Sequence, residues 1–181
     1  MRTPLPRFTS LLFAVPLLIA TTTPTFAQTT ASASLAMTAI VIQPLSVSVT
    51  RGLDFGTLFV GGNKTVAPGS STAGVIDIKG QSGANVTVTL TMPVMLMLGS
   101  TGVGLTTTAW TYATNAQTSL ASAPSTSFTG GTPTTLSLAL GSGSGTSHLL
   151  IGIGATASAG SGQTAGDYTG SGQVAVAYTD Y

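Results

Sequence analysis

The stretch GDYTGSGQVAVAYTDY, residues 166–181, decides the fold. In it Val174, Val176 and Tyr178 alternate with Gln173, Ala175 and Ala177. A period of two, carried by β-branched and aromatic side chains, gives a half-buried strand one apolar face. The same alternation recurs upstream. Residues 31–42 (ASASLAMTAIVI) alternate small and apolar side chains, and Leu45, Val47 and Val49 share a face. Leu53 and Phe55 precede a Gly-rich turn, KTVAP forms a short edge piece stopped by Pro68, and Val75 to Ile78 add another run. The longest run sets Val86, Val88, Leu90 and Met92 on one side and threonines on the other, until Pro93 breaks it or marks an edge. After a strand carrying Trp110 and Tyr112 comes a long Ser/Thr/Ala-rich loop. Leu136, Leu138 and Leu140, then Leu149, Ile151 and Ile153, resume the period of two. No apolar stripe at helical spacing competes with these runs after residue 27. The expectation is an all-β chain of seven to nine strands, folded as an immunoglobulin-like antiparallel β-sandwich.

The first 27 residues stand outside that pattern. Arg2 and Arg7 precede an apolar run from Leu11 to Ala20, and Thr25 and Ala27 are the small residues of a cleavage site. This is the layout of a secretory signal peptide, residues 1–27, too short in its apolar run to span a bilayer. Removing 27 of 181 residues leaves 154, enough for one domain with a core of its own. In the remainder, Arg51, Lys64 and Lys79 face Asp54, Asp77, Asp167 and Asp180, a net charge of −1. So few cations leave no patch for nucleic acid or anionic lipid. The chain has no Cys, so packing, hydrogen bonds and neighbouring molecules must hold an exported fold together.

The chemistry of catalysis is sparse. His148 is the only histidine, and it opens an apolar strand. As a general base it would need an aspartate to orient it and a serine within reach; the plainer reading is a histidine at a strand edge. One His and no Cys do not make a transition-metal site, and four scattered aspartates do not make a calcium loop. The DFG at Asp54–Gly56 and the GSGSG at Gly141–Gly145 lack the structural context of the nucleotide motifs they mimic. Trp110 and Tyr112 have the chemistry to stack on a sugar, although core packing is the commoner use of such a pair. The expectation is a non-enzyme without a cofactor or a metal.

The two ends carry the functional expectation. Residues 28–38 exceed what the first strand of a sandwich needs, leaving residues 39–181 as the β-sandwich domain. This N-terminal extension offers Ala31, Ala33, Leu35 and Met37 at alternate positions. An unpaired strand of this kind aggregates or finds a partner. At the other end the sandwich is expected to stop at its penultimate strand, leaving a groove over the core. The arm of one subunit then fills the groove of the next, which is donor-strand complementation, and its head-to-tail geometry makes a fibre.

The segment AIVIQPLSVSVTRGLDFGTLFVGGNKTVAP, residues 39–68, resembles the start of a bacterial surface family catalogued as domain of unknown function 4402. The ending AGDYTGSGQVAVAYTDY resembles the last strand of that family, and GANVTVTL adds likeness in the middle. The family is similar in layout to chaperone–usher fimbrial subunits, or pilins. That resemblance implies a terminal strand of Gly166, Tyr168, Val174, Val176 and Tyr178, gripped by a chaperone or a donor, and donor positions at Ala31, Ala33, Leu35 and Met37. It also implies identical or homologous subunits in a filament, a periplasmic chaperone and an outer-membrane usher as partners, and a route through the periplasm to the surface of a Gram-negative cell. Two features depart from the pilin pattern: the absence of a disulfide, and the place of the tyrosine, commonly second to last in pilins, whereas here Asp180 is penultimate and Tyr181 last. The rival expectation is a self-complete secreted or surface-attached binding module, an adhesin gripping a glycan through Trp110 and Tyr112. A hydrolase using His148 with a serine comes last.

Overall fold

A computed structural model describes residues 31–115, 119–142 and 146–179. The signal-peptide reading of residues 1–27, and the first three residues of the arm, fall outside the described residues. The chain divides into two units, Met1–Ala39 and Ile40–Tyr181. In the first, residues 31–39 carry no regular secondary structure and are exposed, Leu35 at 80% and Met37 at 84%.

The second unit is an antiparallel β-sandwich. Its eleven described strands are β1 (Ser46–Arg51), β2 (Asn63–Val66), β3 (Gly74–Gln81), β4 (Asn85–Thr91), β5 (Met95–Leu98), β6 (Gly104–Asn115), β7 (Ser125–Phe128), β8 (Thr134–Ala139), β9 (Thr146–Ser158), β10 (Tyr168–Thr169) and β11 (Gln173–Tyr178). The surplus over the expected seven to nine comes from short pieces. β5 follows the break at Pro93, β7 lies inside the region expected to be loop, and β10 spans two residues. The alternating segment at residues 31–42 forms no strand. Among the described residues nothing pairs with it, and a lone strand has no hydrogen-bond ladder to hold it.

One sheet runs β1-β3-β9-β6-β5-β10, with β2 continuing the line of β3 along β9 and β7 continuing the line of β5 along β6. The other is β11-β4-β8. Their inner faces make one core. Val86, Val88 and Leu90 of β4 are fully buried, with Met92 just beyond, and they meet Ile76 and Ile78 of β3 and Leu149, Ile151 and Ile153 of β9. The threonines between the β4 apolar positions face outward, as alternation requires. On the outer face of β9, Gly152 admits the chain that follows β2, because a Cβ there would collide with the Pro68 carbonyl. A register shift in β6 between Thr108 and Thr111 places Ala109 at φ 48°, a left-handed conformation that costs a residue with a Cβ.

Candidate assembly groove

The core is closed on most sides and open along one seam. In β1, Val47 pairs with Ile78 and Val49 with Ile76. Residues opposite one another in an antiparallel ladder share a face, so both valines point to the core side of their sheet. Ile76 and Ile78 are buried there, yet Val47 is 41% exposed and Val49 68%. Among the described residues no strand of the facing sheet continues past β11 to cover them. That sheet ends at β11, which among the described residues pairs only with β4.

Val174, Val176 and Tyr178 of β11 stand opposite Leu90, Val88 and Val86, so they point inward as the alternation predicts, but they are only half-buried. Ala175 and Ala177 are exposed on the outer face. A cavity of about 870 Å³ reaches from Val49 of β1 past Ile153 of β9 and Leu105 of β6 to Val174 at the start of β11. Val49, Leu53, Phe55, Leu96, Trp110 and Val174 supply its apolar wall, and the backbone of residues 163–172 forms one rim. Asp54 and Gly56 of the DFG triplet lie on the opposite rim, where Asp54 Oδ1 accepts a hydrogen bond from the Gly56 N–H at 2.7 Å. That bond makes the triplet a local turn.

The seam narrows toward the far end of β11. The Tyr178 hydroxyl donates to the Gln43 carbonyl at 2.8 Å and accepts from the Gln81 N–H at 2.6 Å. Gln81 Oε1 accepts from the Gln43 N–H at 3.2 Å. Gly80 is required beneath, since a Cβ would strike the Tyr178 hydroxyl and crowd Leu140 and Leu45. This clamp ties the end of β11 to the chain entering β1.

The residues expected to make one terminal strand are divided between the sheets. Val174, Val176 and Tyr178 belong to β11, whereas Tyr168 lies in β10 and pairs with Leu98 of β5, and Gly166 lies in the loop before it. Gly170, Ser171 and Gly172 intervene and let the chain cross from one sheet to the other. Gly166, Tyr168 and Val174 nonetheless line the same cavity. Tyr168 fixes the rim: its hydroxyl donates to the Thr164 carbonyl at 2.6 Å and accepts from Gln163 Nε2, which also donates to the Gly104 carbonyl at 3.2 Å.

The other singled-out residues fall elsewhere. Trp110 is 4% exposed, its Nε1 donates to the Pro93 carbonyl at 3.2 Å, and its ring lies 6.1 Å from that of Phe128. The indole is part of the core and also lines the cavity; Tyr112 beside it is half-buried. His148 does have the aspartate a general base needs, since its Nδ1 lies 3.0 Å from Asp77 Oδ1. It sits on β9 inside the larger sheet rather than on an edge strand, and Lys79 Nζ holds the other Asp77 oxygen at 3.5 Å. The Ser48 hydroxyl turns to the Asp77 backbone carbonyl, and the Ser147 hydroxyl to that of Gly141. Among the described residues, no three His, Cys, Asp or Glu side chains gather as metal ligands do.

Val49 lines the groove and Val47 shares its face of β1; the sequence sets both with Leu45 on one face of a strand. Their period of two signals a core-facing side without saying whether a second sheet covers it. The Gln43–Gln81–Tyr178 clamp had no signal, because it joins residues 135 apart in the chain through backbone groups.

No curated protein and no solved structure matches this chain. The family described as Domain of unknown function (DUF4402) matches residues 27–178, and the chain belongs to that family.

Proposed function

We propose that this chain is a structural subunit of a bacterial surface filament, pilin-like, assembled by donor-strand complementation. The observation that carries this reading is the exposure of Val47 and Val49 on the core side of β1, across an open seam from β11, which among the described residues pairs only with β4. An added strand would cover these valines and the half-buried Val174 and Val176, and would extend the β11 ladder. Apolar burial and main-chain hydrogen bonds then act together. The arm holds the complementary features: Leu35 and Met37 are exposed, and residues 28–42 contain no charge that would have to be desolvated. On this reading the chain is exported, passes the periplasm with a chaperone in the groove, and reaches the surface through an outer-membrane usher. It carries no catalytic task.

The test is a thermal melt. A peptide of residues 29–41, at about one hundred times its Kd, stabilises the arm-deleted sandwich by about 2.7 kcal/mol. A sandwich that melts at the same temperature with and without the peptide, and stays monomeric with its arm present, is the self-complete binding module instead.

A further inference from the structure

We infer an interaction surface on the edge of the smaller sheet farthest from the seam: the free edge of β8 pairs, antiparallel and about a two-fold axis through Ser137, with β8 of a second copy. The arm and the groove take no part in this contact, so it stands apart from the filament reading. Among the described residues β8 pairs only with β4, in an unbroken register from Thr134 opposite Leu90 to Ala139 opposite Asn85. The Leu140 N–H donates to the Ala84 carbonyl at 2.9 Å. By the alternation of an antiparallel ladder, Leu138, Leu136 and Thr134 also turn their backbone groups toward β4. The N–H and C=O groups of Thr135, Ser137 and Ala139 therefore point away from the sheet, and all three residues are exposed. A row of such groups is a template for another strand.

Edge strands are ordinarily guarded by a charge, a bulge or a proline. β1, at the edge of the larger sheet, has a register shift between Val49 and Arg51 and carries that arginine, and β2 carries Lys64. β8 (TTLSLA) has none of these. Between Lys79 and Asp167 the chain contains no Lys, Arg, Asp or Glu, so β4 behind it is uncharged as well. Two copies of this edge meet with no like charges opposed and no ion desolvated. A partner with a charged edge would bury a charge that nothing on β8 compensates, and this favours a second copy as the occupant.

Self-pairing has one register that uses all three outward positions. Ser137 faces Ser137 of the second copy, and Thr135 faces Ala139 on either side of it, each pair exchanging both N–H···O=C bonds. Sliding by two residues in one direction sets Ala139 opposite Pro133, which has no N–H to give. Sliding in the other sets Thr135 opposite Gly141, whose carbonyl already accepts from the Gly83 N–H at 3.1 Å and from the Ser82 and Ser147 hydroxyls. A slip of one residue would bring hydroxyl side chains to the leucine face. In the two-fold register Leu138, half-buried on its own, gains cover from Leu136 of the second copy. The contact is the same patch on both copies, so it closes as a pair. Two strands of six residues bury less than the about 1,000 Å² of a lasting interface, so the pair forms at high local concentration and a dilute sandwich elutes as a monomer.

The chain contains no Cys, so introduced thiols report contacts without background, and oxidation traps a transient pair. Full chains carrying Ser137→Cys are oxidised at high concentration beside chains carrying Ala177→Cys, an exposed position on the same face at the other edge of the sheet. The expected result is at least about tenfold more disulfide-linked dimer from Ser137→Cys, since a disulfide needs Cα atoms within about 7 Å. Thr135→Cys is expected to link to Ala139→Cys in a mixture, with neither linking to itself. The inference falls if Ser137→Cys yields no more dimer than Ala177→Cys. It falls equally if Thr135→Cys links to itself as readily as to Ala139→Cys, the mark of parallel pairing. Filaments that form without an excess at Ser137 keep the filament reading and lose this one. An excess at Ser137 in a chain that forms no filaments does the reverse.

Discussion

At the scale of single residues, Tyr178 shows how one hydroxyl holds two segments distant in the chain. It accepts from the Gln81 N–H and donates to the Gln43 carbonyl, so both the end of β3 and the approach to β1 depend on it. Removing the oxygen leaves a part-buried N–H without that acceptor. Tyr178→Phe therefore destabilises the sandwich by about 1–3 kcal/mol, read from urea denaturation. A cost near zero would mean the clamp is ornamental. Ala109 poses the opposite case, since a Cβ is held in the left-handed region at the β6 bulge. Ala109→Gly relieves that strain and spends part of the gain on the entropy of the unfolded chain, for a net stabilisation of up to about 1 kcal/mol. A clear loss of stability in the same denaturation assay would mean the methyl group is needed for packing.

Elements add an asymmetry that single residues do not reveal. β1 and β3 are partners, and Val49 and Ile76, like Val47 and Ile78, share a face. Only the β3 side is covered by the second sheet. Ile78→Ala opens a cavity in a close-packed core and costs about 2–5 kcal/mol. Val49→Ala, on the same side of the same sheet, costs the isolated sandwich under about 0.5 kcal/mol, because its methyl groups are largely in water already. Paired thermal melts check both. The Val49 variant is also expected to gain less stability from the 29–41 peptide, which separates a groove residue from a bystander. Equal costs at the two positions would indicate that the seam is closed in solution.

For the whole molecule, the sandwich has its strongest packing where β4 faces β3 and β9, and its weakest along the seam. Such a fold can be stable yet unfinished, its last increment of burial coming from a neighbour. Deleting residues 28–38 is expected to leave a folded monomer that melts below the assembled full-length chain, and to abolish polymer formation, as seen by size-exclusion chromatography and electron microscopy. A chain that polymerises as before without its arm would remove the donor role from Leu35 and Met37.

The all-β class, the inward face of each long strand and the break at Pro93 were legible in the sequence, because a period of two and a residue without an N–H act locally and leave a local mark. Val174, Val176 and Tyr178 point where their alternation says they should. The alternation at residues 31–42 reads as a strand in the sequence, but the structure forms none there. Other features were decided by tertiary structure alone. Whether Val47 and Val49 are covered depends on how far the second sheet extends. That Tyr168 belongs to one sheet and Val174 to the other depends on a crossing at Gly170–Gly172, and the His148–Asp77 pair depends on the β3–β9 register. These are contacts between segments far apart in the chain, and periodicity within one segment carries no information about which other segment will lie across from it.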